Sequence, residues 1–329
     1  MTTNTIQWGE ATQAIESAKS ILIVTHISPD GDAIGSLIGL TIALREKGKQ
    51  VVPADDDPAP EFLQFIPGTD TIVTQLTEGE WDLMISVDSS DEKRTGVVGE
   101  YGRAHSQKVI NLDHHTTNTY FGDIFLVNPA AVAASEVISD WLRWMGHPIS
   151  REVAVALLTG LVTDTLGFRT SNVSAGTLGI AQQLMQAGAS LTEVTARTLD
   201  SKSYNAINLW KQTLPTVSLE GKVISATITQ ADLQRAGITE TTDGGLVGLL
   251  NSVNEAMIAV VFKETPQGTV ELSLRSKPGY DVSRVAFALG GGGHMQASGA
   301  TIPGPLEEAR KRVVPMLLEA AKNGKLNIV

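Results

Sequence analysis

Three times in its first 115 residues this chain runs a short apolar stretch straight into a carboxylate or an imidazole. Ile21–Thr25 leads into His26, Leu83–Val87 into Asp88, and Val109–Leu112 into Asp113. Apolar runs of this length, bounded by polar residues, read as buried strands. Val51–Ala54 and Ile124–Val127 read the same way. After the first strand, Asp32 to Lys47 spaces Ile34, Leu37, Ile38, Ile42 and Leu44 at helical intervals and closes on Gly48. Alternating strands and helices build a largely parallel sheet covered on both faces. Such sheets bind ligands beyond the carboxyl ends of their strands, where His26, Asp88 and Asp113 fall.

At 329 residues the chain is too long for one ordinary core, so two domains are expected. From Ala130 to about Leu199 the pattern is mainly helical, and Val153–Val162 is apolar on nearly every side, as a buried helix would be. Tyr204–Pro215 reads as a helical linker. A smaller second α/β domain follows, with strands near Val223–Thr227, Met257–Phe262 and Val270–Arg275, and helices at Gly245–Ser252, Asp281–Leu289 and Pro305–Ala321. The predicted division is therefore 1–202, a linker over 203–216, and 217–329.

A hydrophobic fraction of 42% and a charged fraction of 19% suit a soluble globular protein. No apolar run approaches the roughly 18–20 residues of a membrane span. The opening MTTNTIQWGEATQAIE lacks a basic region followed by an apolar core, so a cytoplasmic protein is expected. With no cysteine there are no disulfides, thiolate metal sites or cysteine nucleophiles. The net charge of −11 argues against broad binding to long duplexes. It leaves room for a small anionic substrate, because bound divalent ions would dominate the local field.

Five segments carry the chemistry: His26-x3-Asp30-x-Asp32, Asp88, Asp113-His114-His115, Asp164 and Gly290-Gly291-Gly292-Gly293-His294. Carboxylates with a minority of histidines favour Mn²⁺ or Mg²⁺, and two such ions can clamp a phosphate and activate a water. Pro29 and Gly31 make a tight turn on which His26, Asp30 and Asp32 can converge; a plain helix cap is the alternative for the aspartates. Asp88 at a strand end can offer one oxygen to each of two ions. Adjacent His114 and His115 diverge, so one suits a metal and the other the substrate, with Asp113 orienting a ring. Asp164 ends the apolar helix, where a carboxylate is unfavourable unless a cation compensates, and Gly160 permits close backbone approach. The four glycines can present backbone N–H groups to a phosphate, with Arg275, Lys277, Arg284 and His294 as partners; a mobile hinge is the alternative. Asp55-Asp56-Asp57 reads as a solvated turn, His105 and His147 as ordinary polar residues, and Trp141 with Trp144 as core or subunit contact.

These segments, in this order, resemble the DHH phosphoesterase family over nearly the whole chain, with a DHH domain first and a DHH-associated domain carrying the glycine-rich His motif last. The nanoRNase/pAp phosphatase type is the most similar branch. The resemblance implies one ion on His26, Asp30 and Asp88 and another on Asp32, Asp88, His114 and Asp164, with Mn²⁺ usual, Mg²⁺ an alternative, and His115 near the scissile phosphate. Asp88, Asp113, His114 and His115 would form the catalytic group. Arg169, Arg275, Ser276, Gly291, Gly292, Gly293 and His294 would join His115 in binding substrate. The implied activity is hydrolysis of very short single-stranded RNA and of 3′-phosphoadenosine 5′-phosphate (pAp), with a homodimer by family analogy. Cyclic-di-AMP or its linear product pApA is the alternative substrate. A nucleotide sensor without turnover is the alternative of another class, and the intact ligand set argues against it.

Overall fold

Ile21 and Ile23 pack into one apolar cluster while Leu22 and Val24 pack into another, the two-residue period of a strand buried on both faces. The computed structural model describes residues 6–324. They fall into two units, one ending at Ser201 and the other beginning at Lys202. The first runs α1 (Trp8–Ser17), β1 (Ser20–Val24), α2 (Gly31–Glu46), β2 (Gln50–Ala54), β3 (Leu83–Val87), α3 (Gly96–Ala104), β4 (Val109–Asp113), β5 (Ile124–Val127), α4 (Ala134–Trp144), α5 (Arg151–Asp164), α6 (Ala175–Gln186) and α7 (Leu191–Thr198).

Its five strands are all parallel, in the order β2-β1-β3-β4-β5. Leu37, Leu40 and Leu44 of α2 join the cluster on one face, and Val98 of α3 joins the cluster on the other. The connections leaving β1 and β3 thus take opposite faces, which makes the carboxyl ends of these neighbours the switch point where such sheets bind ligands. Helices α2 and α5 approach closely because glycines line the contact. A Cβ on Gly35 would stand 2.5 Å from Ala156 O, and one on Gly160 would strike Ser135 Oγ and Asp32 Oδ1. Trp141 is buried and donates Nε1 to Thr12 Oγ1 (3.0 Å), whereas Trp144 is 54% exposed.

The second unit runs α8 (Tyr204–Thr213), β6 (Ser218–Glu220), β7 (Val223–Ile228), α9 (Gln230–Ala236), α10 (Leu246–Asn251), β8 (Ile258–Glu264), β9 (Thr269–Ser276), α11 (Ser283–Ala288), β10 (Gly292–His294), β11 (Ala297–Pro303) and α12 (Leu306–Asn323). Six strands lie in the order β10-β11-β9-β8-β7-β6, antiparallel except for the β7–β8 pair. Alternate residues feed a core under α11 and α12 on one face and a core under α8, α9 and α10 on the other. Helix α8, read from sequence as a linker, lies in this unit, where Trp210 Nε1 donates to Asp243 O at 3.1 Å.

The β10–β11 hairpin was not expected from sequence. Gly290 follows α11 with φ +83°, and Gly293 has φ +129° with space for no Cβ, which would lie 2.5 Å from Ala297 O. Gly291 packs directly on the backbone of Gly299 and Ala300. The glycine run therefore has a structural use, ending a helix and pressing an edge strand against its neighbour. Among the described residues, no helix is long and apolar enough to cross a membrane.

Candidate active site

At the end of β1, His26 is almost wholly buried, and Thr25 Oγ1 donates to Val87 O (3.0 Å), tying the neighbouring strand ends together. The His26 Nδ1 atom lies 3.0 Å from Ile27 O. That carbonyl assigns the proton to Nδ1 and leaves Nε2 to face Asp88 Oδ2 at 3.6 Å and Asp30 Oδ1 at 3.9 Å. Asp30 also caps α2, accepting Asp32 N and Ala33 N at 3.0 Å each on Oδ1. The helix-cap reading and the ligand reading of this residue are thus compatible.

Asp32 is fully buried against the start of α4, whose N-cap Ala133 offers no side-chain acceptor. Its Oδ2 accepts Ala134 N (2.5 Å), and its Oδ1 accepts Ser135 N (3.0 Å), Ser135 Oγ (2.5 Å) and Ser36 Oγ (3.2 Å). The carboxylate thereby caps a helix distant in sequence and gains from its dipole. One lone pair of Oδ2 remains, on the atom 3.9 Å from His114 Nε2.

Asp88 sits between these groups. Its backbone takes φ +53°, a left-handed conformation that costs a non-glycine residue of order 1–3 kcal/mol and tends to mark functional sites. Oδ2 faces His26, while Oδ1 lies 3.5 Å from His114 Nε2 and 3.6 Å from His115 Nδ1. Buried Oδ1 accepts no hydrogen bond among the described residues. Asp164, at the end of α5, brings Oδ2 to 3.3 Å from His114 Nε2.

The two adjacent histidines diverge, with ring centroids 4.6 Å apart and a tilt of 53°. His114 turns toward Asp32, Asp88 and Asp164, and His115 Nδ1 turns to Asp113 Oδ1 at 2.7 Å. Asn118 Nδ2 donates to the other oxygen of Asp113 at 2.6 Å. Ligand atoms of His26, Asp30 and Asp88 lie within 4.8 Å of one another, as do those of Asp32, His114 and Asp164. Asp113, His114, His115 and Asp88 meet the same distance, but both Asp113 oxygens are already engaged.

The electrostatics of the cluster favour positive charge. Burial raises the Asp32 carboxyl, the Asp88 charge raises it further, and it reaches about 6. Burial, then Asp32, also pushes Asp164 well above the usual carboxylate range. Burial would lower both ligand histidines, but Asp88 and its acidic neighbours outweigh it, pushing His26 up to about 9 and His114 well above its ordinary value. Burial would raise Asp88, yet the His114 and His26 rings hold it below the usual range. Protons on imidazoles thus supply the positive charge that the acids demand. Divalent cations would supply more, and would displace those protons on binding. The oxygen-rich donor set, the orphaned Asp88 oxygen and the strained Asp88 backbone all fit a pair of hard cations.

Comparison with known proteins assigns both parts of the chain to known domain families. The model of the DHH family, N-terminal domain, matches residues 20–161, and that of the DHHA1 domain matches residues 220–323. The bifunctional oligoribonuclease and PAP phosphatase NrnA of Thermus thermophilus is 34% identical over 316 residues, covering 94% of this chain and 92% of that protein. The chain belongs to the DHH family. The Bacillus subtilis protein of the same description is 30% identical, covering 89% of this chain and 92% of its own. Among solved structures, an exopolyphosphatase-related protein from Bacteroides fragilis matches with TM-score 0.89 and 27% identity over 98% of each chain.

In the DHHA1 part of this DHH protein, register puts His294, Ala297 and Arg275 in one row across β10, β11 and β9. Residues in register share a face, and two strand spacings separate His294 from Arg275 by roughly 10 Å. Ala297 leaves a low floor between them. Arg275 is partly buried and donates Nη1 to Leu274 O (2.9 Å); burial lowers its pKa and Asp243 counters that. Other expected partners are used elsewhere. Lys277 Nζ donates to Val253 O (2.7 Å) and Asn254 O (3.1 Å), Arg284 pairs with Asp281 (3.3 Å), and buried Ser276 Oγ donates to Tyr280 O (2.7 Å). Exposed Arg169 donates Nε to Leu166 O (2.5 Å) in a turn where Leu166 and Phe168 take positive φ.

Sequence reading missed Asn118 and Ser135, which orient Asp113 and Asp32, because a lone Asn or Ser carries no signal of a distant partner. It also misjudged Asp55, which is fully buried, and Asp56 and Asp57, whose carboxylates accept backbone N–H groups from the start of α3 and from the Ser28 turn.

Proposed function

We propose that this DHH protein is a phosphohydrolase dependent on two Mn²⁺ ions, degrading very short oligoribonucleotides and dephosphorylating pAp. The observation that carries this reading is Asp88, whose two oxygens face two separate ligand groups while one of them accepts no hydrogen bond. His26, Asp30 and Asp88 would hold one ion, and Asp32, Asp88, His114 and Asp164 the other, with Mg²⁺ an acceptable substitute. The ions would supply positive charge for the phosphate and lower the pKa of water.

The remaining work falls to side chains. Asp113 holds a proton on His115 Nδ1 and so fixes the tautomer and pose in which this ring would meet the substrate. Asn118 keeps Asp113 in that pose. Arg275 and His294 suit a phosphate, because Arg can grip it with two parallel hydrogen bonds. Gly292 and Gly293 would offer backbone donors beside His294, whereas Gly291 N already donates to Ala286 O (2.9 Å) and ends the preceding helix instead. The sequence relatives named for oligoribonuclease and PAP phosphatase activity support this substrate class.

The test is incubation with Mn²⁺ and, separately, pAp, a two-nucleotide RNA, cyclic-di-AMP and pyrophosphate, with products quantified by chromatography. Turnover of pAp and of the dinucleotide is expected. Turnover confined to cyclic-di-AMP or pyrophosphate would overturn the assignment.

A further inference from the structure

The acidic run Asp55-Asp56-Asp57 lies outside the ligand groups, yet each carboxylate has a separate structural task. Asp55 is fully buried at the end of β2, where its N–H donates to Val73 O (3.1 Å) and its Oδ1 accepts Asp57 N (2.8 Å). Asp56 accepts Val97 N and Val98 N, both at 2.8 Å, so it caps α3 in place of Thr95, which makes no side-chain cap. Asp57 Oδ2 accepts Ser28 N at 2.7 Å.

Ser28 lies midway between His26 and Asp30. It takes φ +55°, the left-handed region that a serine rarely adopts. This reversal lets a residue at a strand end and a residue capping the next helix bring His26 Nε2 and Asp30 Oδ1 to 3.9 Å. Two successive donors fix the reversal from outside: Ile27 N donates to Arg94 O (2.8 Å) and Ser28 N donates to Asp57. The Asp55 turn sets where Asp57 stands.

We propose that Asp57 is a positioning residue for the first metal group, holding Ser28 in its unfavourable conformation so that His26 and Asp30 converge. This rests on the metal reading above. It acts through geometry, so an acceptor at the same place should serve whether or not it is charged.

The test is equilibrium Mn²⁺ binding by the full chain, followed by the electron paramagnetic resonance of free Mn²⁺, with melting measured alongside. Asp57→Ala should weaken one of two sites on the order of 10–100-fold, the range for losing an outer partner of a ligand, and spare the other. Asp57→Asn keeps an acceptor oxygen and should bind as the wild type does. Asp57→Glu keeps the charge but moves the acceptor by one methylene, and should weaken the same site, which preserves the test if the alanine variant does not fold. Equal weakening in Asp57→Asn and Asp57→Ala would overturn the proposal in favour of a charge effect. Unchanged binding in Asp57→Glu and Asp57→Ala would overturn it outright. A wild type that binds no Mn²⁺ would instead overturn the metal reading, and this inference with it.

Discussion

Asp88→Asn is the substitution that most sharply separates a bridging carboxylate from an ordinary strand-end residue. It preserves shape but replaces one of two acceptor oxygens with a donor and removes the charge. In the structure one oxygen lies 3.6 Å from His26 Nε2 and the other 3.5 Å from His114 Nε2, so both ligand groups lose part of a shared partner. Removing one partner of a buried ion pair costs roughly 3–5 kcal/mol. A loss of that size should lower kcat/KM by about 10²–10⁴-fold, at 1.36 kcal/mol per factor of ten. The assay is release of phosphate from pAp at saturating Mn²⁺, with ion stoichiometry and melting measured on the same preparations. A loss under about tenfold, with two ions still bound, would refute the idea that Asp88 joins the two groups.

Asn118→Ala should lower kcat by about 10–100-fold with KM little changed, as losing an outer orienting partner does; an unchanged kcat would deny Asn118 its hold on Asp113. Arg275→Ala should cost on the order of 2–4 kcal/mol in kcat/KM on pAp while leaving Mn²⁺ stoichiometry intact, and a loss of bound metal would instead implicate the fold. Burial raises Asp55 to about 7, so the folded chain keeps a proton that the unfolded chain releases near pH 4. The Asp55 contribution to stability should therefore decline as pH rises from about 4 to about 7 and be absent above, and Asp55→Asn should flatten that part of the curve. Melting curves at intervals across this range check it, and identical slopes for the two proteins would contradict it.

Much of the first unit was legible because its signals are local. Ile21–Thr25, Leu83–Val87 and Val109–Leu112 are apolar runs of strand length, and the observed β1, β3 and β4 fall on them. Once the strands are placed, His26, Asp88 and Asp113 follow at their ends. The second unit was less legible. Gly290–Gly293 carries no strand propensity, and β10 forms only because β11 presents a backbone that glycines can approach. Lys277 looked available for phosphate because nothing local reveals the Val253 and Asn254 carbonyls that occupy it. Asp55-Asp56-Asp57 failed for the same reason. A run of acids before proline has the composition of a solvated turn, and its donors, Val97, Val98 and Ser28, are between 29 and 42 residues away. Propensity is a local quantity, whereas the burial of a charge is decided by whichever distant backbone reaches it.

Two cations held by His26, Asp30, Asp32, Asp88, His114 and Asp164 are proposed to support phosphate ester hydrolysis. A Mn²⁺ titration of metal-stripped protein tests it most directly, with bound ions per chain and the initial rate on pAp measured at every point. Two ions per chain are expected, with a rate that climbs as the second site fills. Full activity at one ion per chain, or in metal-free protein, would contradict it.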